Sequence, residues 1–222
     1  MVGLVANTSA SSAYNSIREG IITGQYPPGA RLHVHDLSKK LQIGPSPIRE
    51  ALNRLVSEGF VSQQDQRGFR VASLDLDDLD DLFDARCWAN EAALRASIQR
   101  GNQDWEENLV LMLHRLRRAP RLIEVESGLR GAEWEKAHDE FHNALIGACG
   151  SSWMQNFCQR MSDAAARYRA VSRAVVVGQR GDEEEHIAIF EAAIARNEDK
   201  AVELLTNHLR CTRDLVVKSW KQ

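Results

Sequence analysis

The chain has 222 residues, of which 43% are hydrophobic and 27% charged, and its formal net charge is −3. This composition excludes an intrinsically disordered chain, which combines low hydrophobicity with high net charge. No run approaches the roughly 20 apolar residues that cross a bilayer, and the first residues lack the regions of a signal peptide. We therefore expect a cytoplasmic protein without a membrane partner.

Charge and cysteine placement indicate how the chain is organised. Residues 1–72 carry eight Lys/Arg against five Asp/Glu, whereas the remainder carries 20 against 26. A weakly basic head on an acidic body suggests two domains with different partners. The cysteines lack CxxC spacing, so we expect buried thiols rather than a zinc ribbon or disulfides at Cys87, Cys149, Cys158 and Cys211.

The head begins with two predicted helices. Apolar residues at helical spacing predict the first helix over 10–23, and the Gly/Pro-rich stretch 24–29 ends it. A second, short helix is predicted over 35–41, where two leucines share one face.

A third helix and a β-hairpin complete the head. Ser46 is placed to cap the third helix, with Pro47 at the first helical position and an end near Gly59. Short β-rich segments at 60–62 and 69–71 flank a polar turn. This order of elements is that of a winged helix-turn-helix, whose third helix enters the DNA major groove by its N-terminus.

Arg49 lies in the first turn of that third helix, where it would reach a phosphate or a guanine edge. Arg67, at the predicted hairpin tip, would reach the DNA backbone or minor groove. The alternative is that Arg49 and Glu50 form an ordinary solvated first turn.

Several motifs in order, at 26–32, 46–52, 58–61 and 67–71, closely resemble the DNA-binding domain of GntR-type bacterial transcription regulators. The chain departs from the usual pattern at Gly44 and Pro45, where that family has a serine or threonine and then an arginine. The resemblance implies DNA contacts by His35, Ser46, Arg49, Arg67 and Gly68, with Pro47 at the helix entrance and Arg31 and Arg54 supporting phosphate contact.

The body is predicted to be all helical. Helical periodicity dominates from Leu76 onward, and glycine, asparagine and proline breaks separate the segments. We predict six antiparallel helices, at 76–100, 103–118, 130–148, 151–178, 182–196 and 198–219. The tryptophans Trp88, Trp134 and Trp153 are expected in the core or at an interface.

Four histidines in the body have the spacing of metal ligands. His138 and His142 project from one face of a helix, and antiparallel packing would bring His186 and His208 into the bundle interior. Imidazoles from facing helices suit zinc, nickel or other divalent transition ions. The alternative for an isolated i, i+4 histidine pair is a surface feature.

Segments 141–145, 185–194 and 201–209 resemble the FCD ligand-binding domain of the FadR subfamily of these regulators, in its VanR-like, six-helix form. The resemblance implies that three histidines and an aspartate surround a divalent ion beneath an effector. His142, His186 and His208 match the three histidines, while His138 stands where the family has aspartate, with Asp139 beside it. The loss of a carboxylate favours softer ions, zinc or nickel, over magnesium or calcium.

The same resemblance places Arg86 towards the effector, and a guanidinium inside an apolar bundle requires a carboxylate or similar partner. A small organic acid is therefore the expected ligand. Asn90 stands where the family often has glutamate, and Arg167, Tyr168 and Arg169 are further pocket candidates.

Three other functions compete. A zincin-type hydrolase is disfavoured because His138-Asp139-Glu140-Phe141-His142 lacks the glutamate that directly follows the first histidine of HExxH. A metal sensor, in which the ion itself is the signal, would make an arginine beside the histidines superfluous. A metal-independent effector binder would leave clustered neutral imidazoles poorly satisfied.

The sequence thus predicts a mainly α protein, with an N-terminal winged helix-turn-helix followed by an all-α antiparallel bundle. The expected parts are a flexible N-terminus (1–9), a DNA-binding domain (10–72), a linker (73–75) and an effector-binding and dimerisation domain (76–222). The expected function is that of a homodimeric regulator, not an enzyme. It would bind near-palindromic operator DNA, most simply as a repressor released by a small carboxylate.

Overall fold

The computed structural model describes residues 8–64, 68–120, 132–176 and 182–220. The chain divides into two compact units, residues 1–74 and 75–222, which we call the winged unit and the helical body. Among the described residues, no helix combines the length and the apolar character needed to cross a membrane.

The winged unit contains three helices and three short strands in its described part. In chain order these are α1 (Ser9–Ile22), β1 (Arg31–Leu32), α2 (Val34–Leu41), α3 (Pro45–Ser57), β2 (Val61–Gln64) and β3 (Gly68–Val71). Helices α1 and α3 pack together around Ile17, Ile48 and Leu52, each fully buried. Gly20 permits a close approach, because a Cβ there would lie 2.4 Å from the Tyr26 ring.

The sheet has three strands rather than the two predicted. Strand order is β1-β3-β2, all antiparallel, with Arg31 opposite Arg70 and Val61 opposite Val71. The sequence prediction missed β1 because two residues carry no readable alternation. Leu32 is buried in it, so the strand connects the wing to the core.

Helix α3 begins two residues earlier than predicted. Gly44 is its N-cap without a side-chain hydrogen bond, and Pro45 occupies the first position. Pro45 has a φ suited to that position and no N–H to leave unsatisfied, so it starts the helix itself. The prediction of Ser46 as N-cap is therefore wrong, and Ser46 lies inside the first turn.

The described part of the helical body contains six helices, as predicted. They are α4 (Leu76–Arg100), α5 (Gln103–Arg118), α6 (Ala132–Leu145), α7 (Ser152–Val176), α8 (Asp182–Ile194) and α9 (Glu198–Trp220). Helix α4 packs on α7 and α9, α5 packs on α6 and α8, and α8 packs on α9. These contacts place α6, α8 and α9, which carry the four histidines, in one bundle.

Side chains cap the N-termini of the first two helices of the helical body. Asp75 accepts from the Asp77 N–H (2.9 Å) at the start of α4, and Asn102 accepts from the Trp105 N–H (3.1 Å) at the start of α5. Gly101 between α4 and α5 is required by space, since a Cβ would lie 2.3 Å from the Trp105 ring.

The expectation of four buried thiols needs correction, and the tryptophans are divided between core and surface. Trp134 is buried in the core, whereas Trp88 and Trp153 are 70% and 86% exposed, so their place at an interface stays a prediction. Cys87, Cys149 and Cys158 are buried free thiols as expected, whereas Cys211 on α9 is exposed. Helical periodicity identifies the apolar face of a helix. It does not show whether that face packs inside the same chain or lies on the surface.

Candidate metal centre and nucleic-acid interface

The N-terminus of α3 is the exposed end expected to meet DNA. Ser46 and Arg49 are exposed in its first turns, and Pro47 is half-buried. Because Pro45 and Pro47 have no N–H, this helix end offers fewer backbone donors to a phosphate than usual. We therefore expect the side chains at this helix end to contribute more to DNA contact than its backbone does. Arg49 is one such side chain, and it makes no ion pair with any described residue.

Other predicted contact residues lie on the surface of the winged unit. Arg31 in β1 and His35 in α2 are exposed, and Gly68 opens β3 with a left-handed φ of +80°. Arg67 lies outside the described residues. Arg54 is engaged within the unit, because its guanidinium lies 3.9 Å from the Tyr14 ring centre and its Nε donates to Glu58 at 3.2 Å.

Two basic residues on this surface were not singled out from the sequence. Lys39 and Lys40 are exposed in the last turn of α2. Lys40 lies over the Tyr26 ring (4.9 Å) and donates to its hydroxyl at 3.2 Å, whereas Lys39 makes no ion pair with any described residue. The excess of basic over acidic residues in 1–72 was the signal that pointed to them.

The four predicted histidines come together in the helical body. One potential ligand nitrogen from each of His138, His142, His186 and His208 lies within 4.8 Å of the others. His138 and His142 are one turn apart on α6, with their Nε2 atoms 3.2 Å apart. His186 comes from α8 and His208 from α9, and their ring centres are 4.6 Å apart. We call this group the histidine cluster.

Packing and hydrogen bonding fix the rings of the histidine cluster. Trp134 stacks on His138 at 4.8 Å, one turn earlier on α6, and Phe141 meets His186 edge-on at 5.4 Å. The Nδ1 of His208 lies 2.7 Å from a carboxylate oxygen of Glu185. A carboxylate on the far nitrogen orients an imidazole and raises its basicity, as in many metal sites.

The electrostatics of the histidine cluster suit metal ligation. Burial, and next the neighbouring imidazoles, hold the pKa of His138 and His142 well below 6.5. Both rings are therefore neutral at pH 7, with a lone pair free for a cation. The buried Nδ1 of His138 makes no hydrogen bond to any residue that the structure describes, and Asp139 Oδ1 is 3.9 Å from it.

The donor set fits a divalent transition ion. Nitrogens that share one zinc ion at about 2.0–2.1 Å are at most about 4 Å apart, close to the spacing in the histidine cluster. Asp139 is directed elsewhere, since its Oδ1 accepts from Ser162 Oγ at 3.2 Å and lies 3.7 Å from Arg169 Nη2. His138 rather than Asp139 therefore stands with the other three histidines.

Arg86, one of the predicted effector ligands, is deeply buried in α4. It is 3% exposed, and its guanidinium lies 5.2 Å from the Phe83 ring centre. Its Nε and Nη1 have no hydrogen-bond partner in the described part of the chain. Burial first, and then Arg169, lower the pKa of Arg86 to about 10. Arg86 also helps to lower the pKa of His142, so its charge acts on the histidine cluster.

The other three effector candidates are placed differently. Asn90 is buried and donates through its side-chain amide to the Arg86 carbonyl, at 2.9 Å within α4. Arg169 is buried against Glu135, with Nη2 at 3.1 Å from the carboxylate. Burial lowers the pKa of Arg167, and the nearby Asp78 carboxylate acts against this shift. Arg86, by contrast, keeps two guanidinium nitrogens without a hydrogen-bond partner among the described residues.

Comparison with known proteins identifies the chain. Residues 9–71 match the gntR family of bacterial regulatory proteins, and residues 81–210 match the FCD domain. The chain belongs to the GntR family. It is a DNA-binding transcription regulator of that family with a C-terminal FCD domain, as the sequence motifs predicted.

Full-length relatives and solved structures agree with this assignment. BphR, an HTH-type transcriptional regulator of Paraburkholderia xenovorans, is 33% identical over 92% of this chain and 84% of its own. GlaR, an HTH-type transcriptional repressor of Escherichia coli, is 32% identical over 88% of this chain and 90% of its own. The fold is that of E. coli McbR/YncC, with a TM-score of 0.81 over 96% of this chain and 99% of that one at 18% identity.

This GntR-family assignment places the HxxxH segment in a regulator rather than in a zincin. The relatives BphR and GlaR and the gntR family are transcription regulators. The residues that sequence reasoning missed are the acidic partners of the site, Glu135 and Glu185. Glu185 directly precedes His186, but only the fold brings it to His208.

Proposed function

We propose that this chain is a homodimeric repressor whose operator affinity falls when a small carboxylate binds at a metal in the helical body. The supporting observation is a buried Arg86, two of whose guanidinium nitrogens have no hydrogen-bond partner among the described residues, and whose charge acts on His142 of a four-histidine cluster. A buried unpaired guanidinium costs free energy unless an anion meets it.

The four histidines would hold the ion, which we propose to be zinc or nickel. FCD domains are known to bind metal, and four imidazole ligands are a donor set that suits such ions. When bound, the ion supplies a Lewis-acid site for a carboxylate oxygen. Arg86 would bind the same anion by charge-assisted hydrogen bonds, and Glu185 would keep His208 oriented.

Release of DNA requires that the anion bind one state of the protein better than the other. Operator affinity then falls by the ratio of the two anion affinities, typically 5–150-fold for coupled sites. The repressor role is supported by GlaR, a relative described as a repressor. A twofold protein matches two half-sites of a near-palindromic operator.

Exposed aromatic residues of the helical body support the dimer. Trp153 and Phe157 lie one turn apart on α7, 86% and 52% exposed, and Trp88 on α4 is 70% exposed. Helices α4 and α7 pack together. Large exposed apolar residues on neighbouring elements are typical of an association surface.

The dimer surface is tested by sedimentation. Trp153→Glu with Phe157→Glu should convert a dimer into a monomer, because charges would be buried at the interface. Val110→Glu on α5, which replaces a residue of 52% exposure, is the matched control and should remain dimeric. A double variant that stays dimeric would move the interface away from α7.

The effector site is tested by elemental analysis and a thermal-shift screen of small carboxylic acids, with and without chelator. We expect stoichiometric metal and chelator-sensitive stabilisation by one class of acid. Stabilisation that survives chelator would leave Arg86 as the anchor and remove the metal from the proposal. Stabilisation and DNA release by metal alone would instead make the ion the signal.

The DNA response completes the test in a mobility-shift titration. The acid identified by the screen should weaken the complex of wild-type protein with an operator selected from random duplexes. Arg86→Met should bind that operator without the acid as well as wild type does, and should lose the response. Arg160→Met, the same change at an exposed arginine of α7, should retain it.

A further inference from the structure

Tyr168 joins α7 to the first turn of α4. Its side chain is fully buried, and its hydroxyl lies 3.0 Å from the Asp75 carbonyl oxygen and 3.4 Å from the Asp75 backbone nitrogen, which donates to it. The same hydroxyl donates to the Asp78 carboxylate. Burial and that bond raise the pKa of Tyr168 to about 12, so the phenol stays protonated.

These contacts hold the point where the chain enters the helical body. Asp75 is the first residue of that body and the N-cap of α4, and Leu74 before it belongs to the winged unit. Asp78 is in the first turn of α4. The Tyr168 hydroxyl therefore fixes the exit of the linker through both backbone and side-chain bonds.

The residue after Tyr168 connects α7 to the helix that carries two of the four histidines. Arg169, the next residue on α7, pairs with Glu135 at 3.1 Å and lies 3.7 Å from Asp139. Both acidic residues are on α6, where they flank His138 in the helix that also carries His142. Buried ion pairs of this kind resist separation, because breaking one leaves an uncompensated charge. A shift of α6 is therefore passed to α7 at Arg169.

Helix α4 provides a second connection. Arg86 lies on the same helix as Asp75, eleven residues or about 16 Å further along. An anion held by Arg86 acts on α4 at its middle, while Tyr168 holds its first turn on α7. A shift of α4 at Arg86 can therefore reach the first turn of the same helix, where Tyr168 bonds it to α7.

We propose that Tyr168 is a positioning residue that couples occupancy of the histidine cluster to the first turn of α4. The coupling rests on the metal site of the proposed function. Tyr168 makes no hydrogen bond to a histidine among the described residues. It would nevertheless transmit the response from the histidine cluster to the linker. The geometry predicts that removal of one hydroxyl separates metal binding from the response.

The experiment uses full-length protein and zinc alone as the ligand. Hydrogen–deuterium exchange is measured at the amides of residues 75–80, with metal-free and zinc-loaded wild type, Tyr168→Phe and Asp78→Asn. Asp77→Asn is the matched control, because Asp77 is an exposed aspartate in the same turn whose carboxylate does not meet Tyr168. Zinc content is measured for every variant.

In wild type and Asp77→Asn, zinc should slow exchange in this turn by about fivefold or more, the lower end of typical coupling between sites. Tyr168→Phe should bind the same amount of zinc with an exchange rate that zinc no longer changes. Asp78→Asn keeps the phenol and should give an intermediate ratio, which retains the test if the phenylalanine variant does not fold.

The outcomes separate the two proposals. Wild-type protein that takes up no zinc would refute the metal site, and the coupling with it. Zinc uptake with equal slowing in wild type and Tyr168→Phe would refute the coupling alone. Zinc uptake without any effect on exchange at 75–80 in wild type would also overturn it, because Tyr168 would then have nothing to transmit.

Discussion

The winged unit and the helical body differ in where their charged side chains lie. Arg31, Lys39 and Arg49 of the winged unit are exposed and make no ion pair with any described residue. Every buried polar or charged residue found in ranges 8–64, 68–120, 132–176 and 182–220 lies in the helical body, Arg86, Arg169 and the histidine cluster among them.

This contrast separates two kinds of recognition. Exposed, flexible cations suit a polymer of phosphates, because each contact adds a little and releases counterions. Buried polar groups suit one small ligand, because desolvation strengthens each interaction and leaves an unmet group expensive. Substitutions in each unit can test this division, and removal of a buried group of the helical body should have the larger effect.

Loss of two metal ligands should have the largest effect. His142→Ala with His186→Ala removes half of the donor set, so bound zinc or nickel should fall from about one ion per chain to almost none. Elemental analysis after dialysis measures this. His114→Ala, which removes an exposed histidine of α5, should keep the ion. Full retention in the double variant would refute the metal site.

Arg49→Ala should weaken operator binding by roughly 5–150-fold, the range for losing one good base or phosphate contact. Thermal unfolding should change little, because Arg49 is exposed and makes no ion pair with any described residue. A mobility-shift titration measures the affinity, with Arg160→Ala in the body as the charge-matched control. Unchanged binding would mean that Arg49 and Glu50 are only a solvated turn.

Arg86→Met should stabilise the metal-free protein, on the order of 1–3 kcal/mol, while abolishing stabilisation by acids. The gain is expected because two nitrogens of the buried guanidinium have no hydrogen-bond partner among the described residues, and methionine fills a similar volume. Urea unfolding with and without acid measures both effects. Loss of stability in Arg86→Met would show that the native fold, and not a ligand, satisfies the charge.

Acid should destabilise the metal-free helical body. The pKa of His138 and His142 is lowered in the folded state, so below pH 6.5 the unfolded chain binds more protons than the folded one. Stability is therefore full above pH 6.5 and falls as the pH drops below it, by about 1 kcal/mol per histidine for each pH unit. Urea unfolding at pH 7.5 and 5.5 measures the loss, which His138→Gln should reduce.

The histidine cluster shows how much of a site a sequence can predict. Helical spacing brought His138 and His142 to one face, and antiparallel order brought His186 and His208 towards them, as the structure now places them. The ion pair that supports the site could not be predicted from the sequence. Arg169 and Glu135 are 34 residues apart, and local periodicity contains no information on such a pairing.

Element boundaries were predictable where residues with strong local rules stand. The bounds of α4 and α5 match the prediction, because Asp75 and Asn102 cap them and Gly101 ends the first. The start of α3 was misjudged since two prolines compete for the first position, and Pro45 occupies it. Strand β1 exists only through its pairing with β3, which no local rule reveals.

The smallest effect distinguishes two arginines that the sequence treated alike. Arg31→Ala should reduce the slope of log affinity against log salt by about 0.9, the value for one phosphate contact. Arg54→Ala should leave that slope unchanged and cost about 0.5–1 kcal/mol of stability, because Arg54 packs on Tyr14 and pairs with Glu58. Mobility-shift titrations at several salt concentrations measure the slope for each variant. A reduced slope in Arg54→Ala would mean that DNA draws Arg54 away from Tyr14, and that surface charges of the winged unit are less preorganised than the buried ones.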